Sequence, residues 1–260
     1  MRYKITFSYD GTKFNGFQKQ IGLRTIESEI EKAVSYMNGQ KETLITASGR
    51  TDKGVHAKGQ VANFDLDIEI PLFKIKMGLN SLLPEDIHII DVQETSNDFH
   101  SRYMVKEKEY YYLINMGEYN PITRNYIYQY NKKIDIDKMI DASLIFIGTH
   151  DFRSFISGED KRENSVRTIK SIDFEISDDI LKITFIGDGF MKYQIRNIVG
   201  SLVEVGNGKK TKEDLTRIMD LKNRSKAGFM VPACGLYLKA VKYWQTCFFY
   251  GIILALIERG

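Results

Sequence analysis

Ser48, Arg50, Thr51, Asp52, Lys53 and His56 fall in one short segment, interrupted by Gly49 and Gly54. The two glycines permit backbone conformations that other residues resist, so the segment suits a binding loop between two strands. A carboxylate held in such a loop can act as a nucleophile, as in a retaining hydrolase. A retaining hydrolase also needs a second carboxylate as acid and base, and no partner motif for Asp52 stands out. Four His and two Cys show no ligand-like spacing, so the expectation is no metal. The same residue types also describe a solvated, charged surface hairpin.

The elements that must hold this segment are legible from periodicity. Tyr3, Ile5, Phe7 and Tyr9 alternate with polar neighbours, the period of a half-buried strand, and Asp10-Gly11 closes it. Thr25 is placed to cap a helix whose face carries Ile26, Ile30, Ala33, Val34 and Met37, with a stop at Asn38-Gly39. Strands are expected over 43–47 and 58–66. A second helix carries Leu72, Ile75, Leu79 and Leu82 with Pro71 in its first turn, and a strand follows over 87–93. The second half repeats the order. Strands are expected over 109–115, 166–176, 181–186 and 236–243. A helix with Ile136, Met139, Ile140, Leu144 and Ile147 ends at Gly148, and another runs from about Phe190 to Gly206. Thr211 to Asp214 resembles a capping box opening a short helix.

Each half therefore reads β-α-β-β-α-β, the split βαβ pattern, which makes an α+β protein of two ferredoxin-like halves with antiparallel sheets. The expected division is residues 1–104 and 105–243, followed by an atypical apolar tail over 244–260. A cleft between two such halves is a natural binding site.

Composition narrows the class. The chain has 260 residues, 43% hydrophobic and 27% charged, and 37 Lys and Arg against 34 Asp and Glu leave a net charge of +3. These are globular values and exclude a polycation or a disordered chain. Cys234 and Cys247 supply no disulfide framework, which fits a reduced, cytoplasmic setting. The strand pattern begins at Tyr3, so no secretory leader is expected. The longest apolar run, 247–257, falls well short of the ~20 residues of a membrane span.

Four segments together carry a family resemblance. The run from Ser48 to Ala57, followed by Gly59-Gln60-Val61-Ala62-Asn63-Phe64, resembles the signature of the tRNA pseudouridine synthase A family. Phe99-His100-Ser101-Arg102-Tyr103 with Lys108-Glu109-Tyr110-Tyr111-Tyr112 is similar to its central segment. Gly189 to Gly200 resembles its second active-site helix, and Pro232 to Leu238 its closing strand. The likeness follows the family's order from Tyr3 to about Tyr243.

The resemblance implies an isomerase that converts uridine to pseudouridine at positions 38–40 of the tRNA anticodon stem-loop, without metal or cofactor. It implies two α+β halves related by a pseudo-twofold axis around a central RNA-binding cleft, and a homodimer in which one tRNA touches both subunits. Asp52 matches the catalytic aspartate. Arg196 matches an arginine that pairs with it, and a cation at that place is expected to lower the aspartate's pKa. Tyr110 matches the tyrosine that stacks on the target base. Its strand neighbours Tyr111 and Tyr112 are also ordinary strand residues, and alternation sets Tyr110 and Tyr112 on one side and Tyr111 on the other. Arg50 matches an arginine beside the target nucleotide and would share a strand face with Asp52 if the loop were extended. Leu236 matches a residue close to the uracil, although core packing would explain it as well.

Phosphate contacts must supply most of the affinity for helical RNA. The basic residues available are Arg102, Lys106, Lys108, Arg153, Lys161, Arg162, Arg167, Lys192, Lys209, Lys210 and Lys212. A non-catalytic RNA-binding protein is the main alternative, although the Arg/Lys-Gly-Phe aromatic signature of an RNA-recognition module is missing. The family normally ends soon after Tyr243, whereas this chain continues to Gly260 with an apolar run that lacks a polar face.

Overall fold

The computed structural model describes residues 1–158 and 164–244. The expected tail over 244–260, apart from Trp244, and the basic residues Lys161 and Arg162 lie outside the described residues.

Strand β1 (Arg2–Tyr9) buries every second side chain, as its alternation requires. Helix α1 (Ile26–Met37) opens on a reciprocal capping box in which Thr25 and Ser28 each satisfy the other's backbone N–H. Strands β2 (Thr46–Ala47) and β3 (His56–Asp65), helix α2 (Leu72–Leu82) and strand β4 (Ile87–Thr95) follow. The second set comprises β5 (Val105–Asn115), β6 (Tyr128–Gln129), α3 (Ile136–Ser143), β7 (Gly148–Asp151), β8 (Val166–Ser177), β9 (Ile180–Gly187), α4 (Gln194–Gly206), α5 (Lys212–Leu221) and β10 (Leu236–Tyr243). Strands β6 and β7 have two and four residues, too few for a period to register in the sequence. Pro71 stands at the cap of α2 rather than inside its first turn.

Among the described residues ten strands join one sheet in the order β4-β1-β3-β10-β5-β9-β8-β7, with β2 on β3 and β6 on β5. Each half thus sets its main strands in the spatial order fourth, first, third, second: β4-β1-β3-β2, then β10-β5-β9-β8. The pairings are antiparallel except β10 with β3 and β6 with β5. The halves meet at the β3–β10 seam, where Tyr237 lies beside His56 and Leu238 beside Ala57. Strand β2 is shorter than its expected span and pairs with β3 only at Ala62 and Asn63, while His56 and Ala57 at the other end of β3 take β10. The Thr43 N–H donates to Ser35 Oγ at 2.9 Å and the Ile45 N–H to Glu31 Oε1 at 3.4 Å, so residues 43–45 bond to α1 instead of the sheet.

Across the seam Ala57, Leu238 and Tyr110 stand side by side, and all three are buried in one continuous apolar core. Tyr111 points to the opposite face and stacks on Tyr237 at 4.7 Å and 11°, as strand alternation predicts. Helix α4 begins at Gln194, four residues later than its expected start. Tyr193 ahead of it adopts a left-handed conformation, φ +67°, and breaks the helical path.

Candidate active site

A cleft of about 900 Å³ opens over the seam, and Arg50, Asp52, Tyr110, Arg196 and Leu236 all line it. The sequence separates these residues by up to 186 positions; the seam brings them together.

The segment after β2 is a pinned turn rather than an extended strand. The Val55 N–H donates to the Asp52 carbonyl at 3.1 Å, and Gly54 takes the positive φ (+79°) that this reversal needs. The Phe17 N–H donates to the Thr51 carbonyl at 3.1 Å, and the Thr51 hydroxyl lies 2.8 Å from that of Tyr9. Asp52 is therefore held from both flanks, while Arg50 turns outward to the rim and hydrogen-bonds Gln18.

Arg196 sits in the first turn of α4 with its side chain only 10% exposed. Its Nε donates to the Val231 carbonyl at 2.9 Å, and its Nη1 reaches Asp52 Oδ2 at 3.4 Å. Helix α4 approaches the Phe229–Val231 segment this closely because position 200 is glycine: a Cβ there would fall 1.8 Å from the Phe229 carbonyl oxygen. A guanidinium from one half thus meets a carboxylate from the other at the floor of the cleft.

The electrostatics depart from the expectation that Arg196 sets Asp52 below its ordinary pKa. Burial pushes the Asp52 carboxyl above the usual range, and Arg196 and Lys192 only partly reverse it. Desolvation wins because the carboxylate loses most of its water while its closest cation stands at 3.4 Å. Tyr110 is buried against Phe190, ring edge to face at 5.3 Å, and burial raises its phenol pKa. Among the described residues its hydroxyl has no hydrogen-bond partner in the protein. Leu236 opens β10 beside Tyr112, buried and lining the cleft.

Of the basic residues singled out in the sequence, Arg102, Lys108, Arg167 and Lys192 line the cleft. Lys210 pairs with Glu204 at 2.5 Å, Lys212 pairs with Asp141 at 2.7 Å, and Lys106 lies over the Trp244 ring at 4.4 Å. His56 is structural: it accepts from the Gly11 N–H at Nδ1, donates from Nε2 to the Asn125 carbonyl, and burial lowers its pKa. Two cleft residues escaped sequence reasoning. Gln18 fixes Arg50, and Tyr193 spans the approach to Arg196 with its ring 5.5 Å from the guanidinium carbon. A left-handed tyrosine has no marker in residue type; only the backbone reveals it. Among the described residues no group of His, Cys, Asp and Glu could hold a metal ion, and no helix is long and apolar enough to cross a membrane.

Sequence comparison shows what the whole chain is similar to. The chain is 42% identical over 251 residues to tRNA pseudouridine synthase A of Streptococcus agalactiae, covering 95% of this chain and 97% of that protein. It is 43% identical over 243 residues to the protein of the same name from Geobacillus sp., covering 93% and 98%. The Bacillus pumilus protein of that name is 42% identical over 245 residues, covering 94% and 99%. A family model described as tRNA pseudouridine synthase matches residues 5–104 and 142–244, and the chain belongs to that family.

Proposed function

We propose that this protein isomerises uridine to pseudouridine at positions 38–40 of the tRNA anticodon stem-loop, with Asp52 as the catalytic residue. The observation that carries the reading is the Asp52–Arg196 pair at the floor of a cleft wide enough for a nucleotide. In this reaction the bond from C1′ to N1 breaks, the uracil turns, and a bond from C1′ to C5 forms. N1 regains a proton and C5 releases one, so no water, metal or energy source is consumed. An ionised carboxylate beside the sugar stabilises the electron-poor centre left by the departing base. Arg196 keeps that carboxylate oriented and partly offsets its loss of water. Tyr110 supplies the aromatic face that replaces the stacking lost when a base leaves its helix. Arg50 at the rim occupies the space the base vacates, and Leu236 packs near the uracil. The protein acts in the cytoplasm as a homodimer, one tRNA contacting both subunits.

The test is tritium release from tRNA carrying uridine labelled at C5, with the modified position mapped. Wild type is expected to release tritium. Asp52→Asn is expected to lose roughly a thousandfold or more in rate while its tRNA affinity stays within about threefold. Binding without release by wild type would reject catalysis in favour of an RNA-binding protein. Free uracil in the products would indicate a hydrolase.

A further inference from the structure

The cleft holds a second group of cations apart from Arg196, which touches Asp52. Lys108, on β5, points into the cleft on the same strand face as Tyr110 and donates to the Ser48 carbonyl at 2.8 Å. Arg102 and Arg167 line the cleft close enough that their charge, added to burial, brings the Lys108 ammonium down to about 8. Among the described residues none of the three pairs with a carboxylate. The contrast with their neighbours is sharp. Glu107 and Glu109 flank Lys108 in sequence, but alternation turns them to the opposite face of the sheet. There they neutralise Lys170 at 2.9 Å, Lys242 at 2.8 Å and Lys239 at 2.7 Å. The acids lining the cleft are engaged elsewhere. Asp52 faces Arg196, Asp188 accepts from the Thr168 N–H at 3.1 Å, and Glu27 accepts from the Lys19 N–H at 2.6 Å.

Holding like charges together in a partly dry cleft is costly unless an anion completes the site. Lys108 and Tyr110 are two residues apart on an extended strand, about 7 Å, the scale of one nucleotide step. We propose that Lys108, Arg102 and Arg167 form one subsite for a single backbone phosphate of the RNA, adjoining the nucleotide whose base packs on Tyr110. This rests on the reading of the protein as an RNA-modifying enzyme and assigns its substrate a second fixed point. The carboxylate would act at the sugar of the reacting nucleotide while the three cations register the strand. Because phosphate carries no sequence, the subsite sets position without base preference.

Binding of a uridine-containing RNA stem-loop to the full chain, measured across a salt series, tests the assignment. Lys108→Met keeps the stem and removes the charge. It is expected to weaken binding about tenfold at ~0.1 M salt and to lessen the log–log salt slope by about 0.7–0.9. Arg102→Gln and Arg167→Gln lie at more exposed positions and are expected to show the same signature, so a poorly folding Lys108 variant does not decide the matter. Lys212→Gln, outside the cleft, is expected to change neither quantity.

A second arm replaces single phosphates of the RNA with uncharged methylphosphonates. At one linkage wild type should lose about tenfold and Lys108→Met should lose nothing more. Unchanged slopes in all three variants, or additive penalties at every linkage, would overturn the subsite. Tritium release by wild type together with unchanged slopes rejects the subsite alone. The full binding pattern without tritium release keeps the subsite and rejects the isomerase.

Discussion

Burial and charge pull Asp52 in opposite directions, and the balance makes two measurable demands. The carboxyl pKa is raised, and the proposed mechanism uses the ionised form, so the rate is expected to fall as pH falls through that raised value. The acid limb of the kcat/KM profile is therefore expected at higher pH than for an exposed aspartate. Arg196→Gln removes the larger opposing charge and should move that limb further upward; a limb that stays in place would mean Arg196 does not tune Asp52. The stability consequence has the opposite sign. A carboxyl whose folded pKa exceeds its unfolded value destabilises the fold above that pKa, and the penalty is relieved as pH falls and the group takes up a proton. Removing the charge should relieve it as well. Asp52→Asn is accordingly expected to melt at pH 7 at or above the wild-type temperature while losing its activity, read by thermal unfolding. A clear fall in Tm would show that the pair with Arg196 outweighs desolvation.

At the scale of elements, α4 works as a rigid arm. Twelve of its thirteen residues are buried, and its first turn carries Arg196. Gly200 lets it lie against the backbone of Phe229, and the same segment supplies the Val231 carbonyl that holds the Arg196 guanidinium. Gly200→Ala must push these elements apart, because its Cβ meets backbone rather than a side chain that can swing away. The expected cost is about 1–3 kcal/mol in urea unfolding. The rate should fall beyond what that instability explains, since Arg196 moves with the helix. An alanine variant of wild-type stability would contradict the packing described. Tyr193, strained at the entry to α4, belongs to the same device: it ends the loop that lines the cleft and starts the helix at Gln194.

For the whole molecule, charge is distributed unevenly rather than in excess. The chain carries only +3 overall, yet seven Lys and Arg side chains line the cleft against three carboxylates. Elsewhere cations such as Lys170, Lys239 and Lys242 are neutralised by neighbouring glutamates. Low-dielectric walls concentrate the unbalanced field where an RNA strand would lie. Affinity for tRNA should therefore drop steeply with salt despite the small net charge, with a log–log slope of about −3 to −4 for roughly four to five neutralised phosphates. A slope near zero in a KCl titration would place the RNA away from this cleft. The two halves are also tied on the face behind the cleft. The Tyr126 hydroxyl donates to Asp10 at 2.9 Å, and the Tyr237 hydroxyl donates to the Tyr126 carbonyl at 2.8 Å. These ties hold the seam on which the distance from Asp52 to Arg196 depends.

Sequence alone determined the features that depend on near neighbours. The alternation of Tyr3, Ile5, Phe7 and Tyr9, the Thr25 cap and the stripe of α1 appear in the fold where periodicity set them, because each is decided by residues within a turn or a strand pitch. Family motifs also marked Asp52, Tyr110, Arg196, Arg50 and Leu236, all of which reach the cleft. Tertiary structure alone decided what joins the parts. The single sheet follows from the pairing of β10 with the His56–Ala57 end of β3, which β2 does not cover because it pairs at Ala62 and Asn63. Only the folded chain separates the cleft-lining Lys108 and Arg167 from the paired Lys210 and Lys212. It also raises the Asp52 pKa despite a nearby guanidinium. Such properties arise from contacts across as many as 144 residues and from loss of water, neither of which leaves a local period to read.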